Sequence, residues 1–196
     1  MARKLSQREL NEKLLAQAGV DGVDDPEAVL RFIARGAQVN CATGFGWTPL
    51  HYAVFSGNIG VCRALLENGA DIEGKCEDGW TALNMAVYHN GDREMVLLLL
   101  ESGANPAAVN KQGMQPLHYM ARDGNAELAA LLLEFGAPVD CCNENGKTPG
   151  DLCKDDGIRA LLGKTYPDAR SRVLSEIARG HHERMRRFAP KSGPRL

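Results

Sequence analysis

The chain has 196 residues, of which 44% are hydrophobic, 24% charged and 6% aromatic. This balance suits one folded domain with an appendage, and the 21 glycines, which have no period of three, exclude a collagen-like chain. The formal net charge of −2 argues against a polyanion binder by charge alone. No apolar run approaches the roughly 18 residues of a membrane helix; Met95 to Leu100 has six. The start, Met1-Ala2-Arg3-Lys4-Leu5-Ser6, lacks the apolar stretch of a signal peptide, so a cytoplasmic protein is expected. Cys41, Cys62, Cys76, Cys141, Cys142 and Cys153 include no pair separated by two residues and read as free thiols in a reducing compartment.

In chain order, Leu10, Leu14 and Leu15 mark a first helix, and Ala28 to Ala34 a second that closes on Gly36-Ala37. The loop between them, Gly19 to Asp25, is irregular. Two landmark series then run in step. Gly36-Ala37, Gly69-Ala70, Gly103-Ala104 and Gly136-Ala137 are spaced by 33, 34 and 33 residues. Gly46-Trp47-Thr48-Pro49, Gly79-Trp80-Thr81-Ala82, Gly113-Met114-Gln115-Pro116 and Gly146-Lys147-Thr148-Pro149 have the same spacings. Two landmarks sharing one period define an internal repeat.

Each landmark has a physical task. Thr48 caps a helix through its hydroxyl, and Pro49 follows at the first helical position, where its missing N–H costs nothing. His51 can bond the threonine hydroxyl and reach the neighbouring repeat. Asn58 to Asn68 gives a second helix with Ile59, Val61, Cys62, Leu65 and Leu66 at helical spacing, ended by Gly69 in the left-handed conformation. Helices are therefore predicted to start near Thr48, Thr81, Gln115 and Thr148. The units are an N-terminal capping helix pair (5–38), three repeats (39–71, 72–105 and 106–138), a C-terminal capping repeat (139–163) and a basic helical extension and tail (164–196).

Thr48-Pro49-Leu50-His51-Tyr52-Ala53 and Leu65-Leu66-Glu67-Asn68-Gly69-Ala70-Asp71 resemble the signature of the ankyrin repeat. The resemblance covers roughly Asn11 to Gly163. It implies an all-α solenoid of stacked helix pairs with hairpin fingers, here with one more C-terminal helix. It also implies protein recognition without catalysis or cofactor, in a protein that is monomeric when free. Several residues depart from the pattern. Ala82 and Asn84 replace proline and histidine, Gln115 replaces threonine, and Gly150-Asp151 stands where leucine-histidine is expected. One residue is inserted between Tyr88 and Gly91.

Candidates for chemistry are few. His51 and His118 occupy the repeat's own structural position. Cys141-Cys142 with Cys153, and His181-His182, match no usual zinc spacing. No phosphate loop or nucleophile elbow is present. The finger tips and the exposed side of the first helices are what the resemblance leaves free for a partner protein. The residues there are Phe45, Trp47, Phe55, Lys75, Glu77, Asp78, Trp80, Tyr88, Lys111, Met114, Arg122 and Asp123, with His89 and Glu144 beside them. Trp47, Trp80 and Met114 share one place in successive repeats and should align, the aromatic residues forming the centre and the charges the rim. The alternative is that both indoles are packed inside.

The last 33 residues differ. Lys164 to Leu196 carries nine Lys/Arg against three Asp/Glu, a net +6, whereas residues 1–163 carry 14 against 22, a net −8. The segment 168–187 can form a helix with Val173, Leu174, Ile177 and Met185 as a sparse apolar stripe. It can cap the last repeat, act as a partner-binding arm, or touch nucleic acid or acidic lipid. The nucleic-acid case gives the alternative function, a nucleic-acid-associated regulator.

Overall fold

The computed structural model describes residues 5–19 and 23–163. The basic extension, 164–196, lies outside the described residues, and so does the helix expected in it. The helices are α1 (Gln7–Ala18), α2 (Pro26–Ala34), α3 (Pro49–Phe55), α4 (Ile59–Glu67), α5 (Ala82–Met85), α6 (Arg93–Glu101), α7 (Pro116–Asp123), α8 (Ala126–Glu134), α9 (Pro149–Leu152) and α10 (Asp156–Gly163). Among the described residues there is no strand.

The helices form two layers. In one, α1 packs on α3, α3 on α5, and α7 on α9; in the other, α2, α4, α6, α8 and α10 follow in sequence order. The core lies between the layers and between successive pairs. Leu14, Leu50, Leu65, Leu83, Leu99, Leu117 and Leu132 are fully buried there. No pair can bury its apolar face alone, so each depends on its neighbour.

Local chemistry sets the helix starts. Thr48, Thr81 and Thr148 accept from the backbone N–H three residues on, and the side chains of His51, Asn84 and Asp151 accept in return from the threonine N–H. These reciprocal bonds satisfy donors that every helix start leaves open. At the α4 start a different device operates. Asp24 reaches from the loop before α2 and accepts from the N–H groups of Gly60 and Val61 at 2.6 and 2.7 Å. The irregular loop thus ties the first unit to the next, with a carboxylate at the positive end of the helix.

The Gly-Ala landmark ends the second helices. At Gly69, φ is 86°, and the Ala70 N–H donates to Leu65 O at 2.9 Å, closing the turn by a bond that needs a left-handed residue. The other glycine landmark sits where fingers stack. A Cβ on Gly113 would lie 2.9 Å from the Glu144 nitrogen of the next finger. The fingers are joined by backbone bonds: Glu77 N–H to Phe45 O and Lys111 N–H to Asp78 O, both 3.0 Å, and Glu144 N–H to Gln112 O at 3.1 Å.

The inserted residue has a visible location. Gly79 to Gly91 is one residue longer than Gly46 to Gly57 or Gly113 to Gly124. The surplus is absorbed by a π-helical turn, Ala86–Asn90, closed by Gly91 N–H to Ala86 O at 3.0 Å.

Buried side chains stitch each helix opening to the next finger. His51 Nδ1 accepts from Thr48 N at 3.2 Å, and its Nε2 lies 3.1 Å from Trp80 O. His118 does the same with Gln115 N at 3.2 Å and Lys147 O at 3.1 Å. A carbonyl can only accept, so both imidazoles are neutral with the proton on Nε2. Asn84 replaces histidine in the middle repeat. Its Oδ1 accepts from Thr81 N and Oγ1, and its Nδ2 donates to Ala108 O at 3.1 Å.

Burial lowers the pKa of His51 and His118 below the usual imidazole value, and the finger carbonyls only partly offset this. The unfolded chain takes up these protons near pH 6.5, whereas the folded chain resists them. Stability from both groups should be complete above about pH 6.5 and fall as pH drops below it. Replacing His118 with Ala should remove about 1–3 kcal/mol in denaturant unfolding at pH 7.5 and flatten part of that acid slope. Gln115 is the weak cap: its Oε1 is buried and finds no hydrogen-bond partner among the described residues. Gln115→Thr should therefore raise unfolding free energy by about 1 kcal/mol, read in the same titration.

Candidate functional site

The finger bases and the ends of the first helices bring side chains from successive repeats onto one face. Trp47 precedes the Thr48 cap, so its ring lies at the finger base against Tyr52 and Phe55 of α3, with centroids 5.2 and 5.6 Å away. Phe55 meets His89 edge-on at 5.1 Å. His89 contacts Tyr88 at 5.0 Å, and Tyr88 contacts Trp80 at 4.8 Å and Tyr119 at 5.2 Å. The Arg122 guanidinium lies over Tyr88 and Tyr119 at 5.7 and 5.3 Å, completing a continuous row across three repeats. These separations and tilted geometries are those in which ring edges and faces attract.

The π-helical turn makes the row continuous. Phe55, Tyr88 and Arg122 each lie eight residues after the finger-base residue of their repeat. His89 is the next residue along, in the segment that carries the insertion. In that widened turn it reaches back to Phe55 while Tyr88 reaches forward to Tyr119. His89 is exposed, and partial desolvation beside the neighbouring rings lowers its pKa below the usual imidazole value.

Burial divides the candidate residues. Trp47, Trp80 and Met114 are half-buried and packed against the core, so the row they form is not the freely exposed one that alignment alone suggests. A large side chain at a finger base covers the junction of two repeats and keeps only one edge in water. The exposed apolar side chains on this face are Phe45 at 72%, Phe55 at 43% and Tyr88 at 44%. Phe45 stands on the first finger tip. Met114 accepts from Asn143 Nδ2 through its sulfur at 3.2 Å.

The charged candidates have different settings. Lys75 Nζ donates to Val109 O at 3.1 Å. Arg122 forms a two-pronged pair with Asp123, at 2.6 and 3.0 Å. Glu77, Asp78 and Lys111 are exposed on finger tips.

Sequence reasoning missed Tyr52, Tyr119 and Asn110. Tyr119 is buried, and burial pushes its hydroxyl up to about 12. Its oxygen accepts from Asn110 Nδ2 at 2.8 Å, while Asn110 Oδ1 accepts from the N–H groups of Gln112 and Met114. One amide therefore shapes the third finger and anchors the end of the aromatic row. The legible signal was His51-Tyr52 and His118-Tyr119 in register, with Asn110 three residues before the finger glycine. All six cysteines are free thiols, and Cys62 is fully buried. Among the described residues no three His, Cys, Asp or Glu side chains cluster as metal ligands would, Cys141, Cys142 and Cys153 included.

Comparison with known proteins adds the family. The model of ankyrin repeats in three copies matches residues 15–110 and 89–170. The chain is 35% identical over 119 residues to the ankyrin repeat, SAM and basic leucine zipper domain-containing protein 1 of Ornithorhynchus anatinus, covering 59% of this chain and 24% of that protein. It is 36% identical over 103 residues to the protein of the same name from Oryctolagus cuniculus, covering 50% and 22%. The chain thus matches less than a quarter of the length of either relative. Ankyrin repeats are generally protein-interaction modules, and the family is generally non-catalytic. With its repeats matched across most of the sequence and its helix pairs stacked in register, the chain belongs to the ankyrin-repeat family.

Proposed function

We propose that this chain is a non-catalytic recognition module that binds a partner protein through the face formed by its fingers and first helices. It would act as an adaptor, a scaffold or a stoichiometric inhibitor. The observation that carries the reading is the continuous aromatic row from Tyr52 to Arg122, with Phe55 and Tyr88 open to solvent on it. Large rings left in water are unfavourable by about 25 cal/mol per Å² of apolar area, and such patches mark interaction sites. Trp47 and Trp80, packed behind them, supply a rigid floor. Lys75, Glu77, Asp78, Lys111, Met114, Arg122, Asp123 and the exposed Phe45 complete the surface. Preset rings lose little freedom on binding, which is how a few residues come to dominate an interface.

Exposed rings can be removed without emptying the core, so stability and binding separate. Phe55→Ala and Tyr88→Ala should each weaken a captured partner by about 2 kcal/mol or more. The check is affinity capture with the variants and with a control, Arg63→Glu on α4, while unfolding curves are recorded on the same samples. Unchanged capture by Phe55→Ala and Tyr88→Ala would contradict the reading.

A further inference from the structure

The fingers meet through the same pair of features at each junction. Phe45 O, Asp78 O and Gln112 O accept from the N–H groups of Glu77, Lys111 and Glu144 in the following finger. The residue after each carbonyl is a glycine with positive φ, and a Cβ on Gly46, Gly79 or Gly113 would lie 3.1, 3.0 or 2.9 Å from the backbone of that following finger. Each finger therefore offers a carbonyl followed by a glycine, and the next receives them with an N–H and bare backbone.

The receiving side is open on the first finger. Gly44 stands where Glu77, Lys111 and Glu144 stand in the later fingers. Its N–H finds no hydrogen-bond partner among the described residues, and a Cβ on it would meet nothing within 4 Å. Beside it an open cleft of about 590 Å³ lies between Gln7, Arg8 and Leu15 of α1 and Ala42, Thr43 and Gly44 of the finger. Phe45, one residue on, is largely exposed. An unpaired edge donor beside a cleft and an apolar side chain is a template for an added chain.

Two occupants drawn from this sequence fail on chemistry. Ser6 caps α1 as Thr48 caps α3, so the residue in the glycine place before α1 is Lys4. A side chain at that place would run into the receiving backbone, as it would at Gly46. The last finger of a second copy does carry an open offering side: Asn145 O accepts no bond among the described residues, and a Cβ on Gly146 would meet nothing within 4 Å. Continuing the stack with it would bring Asp151, which stands in the place of His51 and His118, against the carbonyl of Trp47. The imidazoles donate at their junctions; a carboxylate cannot, and two acceptors repel.

We infer that the first finger receives an exposed Asn-X-X-Gly turn of the partner protein, a step that rests on the reading of the finger and first-helix face as protein-binding. The carbonyl before the turn's glycine accepts from the Gly44 N–H, the glycine lies against Thr43 and Gly44, and the rest of the turn enters the cleft beside α1. The asparagine holds the turn ready, as it does in two fingers of this chain. Asn110 Oδ1 accepts from the N–H groups of Gln112 and Met114, and Asn143 Oδ1 from those of Asn145 and Lys147. A turn preset in this way loses little freedom on docking.

The test uses the full chain and a backbone-cyclised peptide that holds Asn-Glu-Asn-Gly-Lys in a turn. A control peptide has valine in place of the glycine. The Gly44 N–H signal in a nitrogen-proton correlation spectrum reports the edge directly, and its loss in Gly44→Ala assigns it. The glycine peptide should move that signal, slow its exchange with water at least about tenfold, and bind at least about tenfold more tightly than the valine peptide. Gly44→Pro, which removes the donor, and Phe45→Ala, which removes the exposed ring, should each weaken the glycine peptide by a similar factor, with melting curves unchanged. Equal binding of the two peptides, or a Gly44 signal that stays still, would overturn the inference whatever the variants do. Partner capture that Phe55→Ala and Tyr88→Ala weaken but Gly44→Pro does not would also overturn it and leave the protein-binding reading standing; capture indifferent to all three would overturn both. A Gly44 signal that moves with protein concentration alone would assign the edge to a second copy. A Gly44 N–H already slow to exchange in the free chain would assign it to this chain's own residues. Either result contradicts the assignment to a partner.

Discussion

The structure depends on one hydrogen bond repeated with variation: a buried neutral side chain in the opening turn of a first helix donates to a carbonyl of the next finger. His51 and His118 make it with imidazole, and Asn84 makes it with an amide. Apolar burial between the layers is non-directional and would tolerate sliding of one pair over the next. The hydrogen bond is directional and sits where a missing partner would be costly, so it fixes the register. Once register is fixed, the finger bonds from Phe45 O to Glu77, from Asp78 O to Lys111 and from Gln112 O to Glu144 follow. The finger bases, and with them Trp47, Trp80 and Met114, are then carried into line.

The aromatic face is a by-product of that register, modified in two ways. Stacking alone would bring one residue per repeat to each position, and rings in adjacent repeats would be separated by a full step. The π-helical turn adds a ring within the step, so Phe55, His89 and Tyr88 touch in series. A π-turn has poorer backbone geometry than an α-turn and is found mostly where function retains it. Asn110 makes the second modification, holding the Tyr119 hydroxyl from within the third finger. The row is therefore fixed by the fold itself. Its half-buried members give rigidity, and Phe55 and Tyr88 keep ring surface exposed to solvent.

Much of the fold could be read from the residues because its signals are local. The threonine caps, the proline at the first helical position and the Gly-Ala helix ends each act within five residues, and the helices start at Pro49, Ala82, Pro116 and Pro149. The insertion before Gly91 could be counted but not shaped. One extra residue can be looped out, shifted into a turn or wound into a π-helix, and packing against α7 decides which. The bond from Asp24 to the α4 start spans 36 residues and follows a loop with no periodicity, so no local pattern announces it. Trp47 and Trp80 were readable as a pair in register, but their half-burial depends on Tyr52 and Tyr119, whose rings lie behind them. Local pattern gives position in the repeat, whereas exposure is a property of the assembled stack.

The most direct measurement of the account is the tautomer and charge of His51 and His118 in the folded chain, read from imidazole nitrogen shifts across a pH titration. The bridge to a finger carbonyl requires Nε2 protonated, the bond from the helix-opening N–H requires Nδ1 bare, and burial should hold uptake of a second proton below the free imidazole range. That result, for both histidines, would place the repeated bond at the centre of the fold. A bare Nε2 with the proton on Nδ1 in the folded chain would mean that the bridges do not exist and that register is held by packing alone.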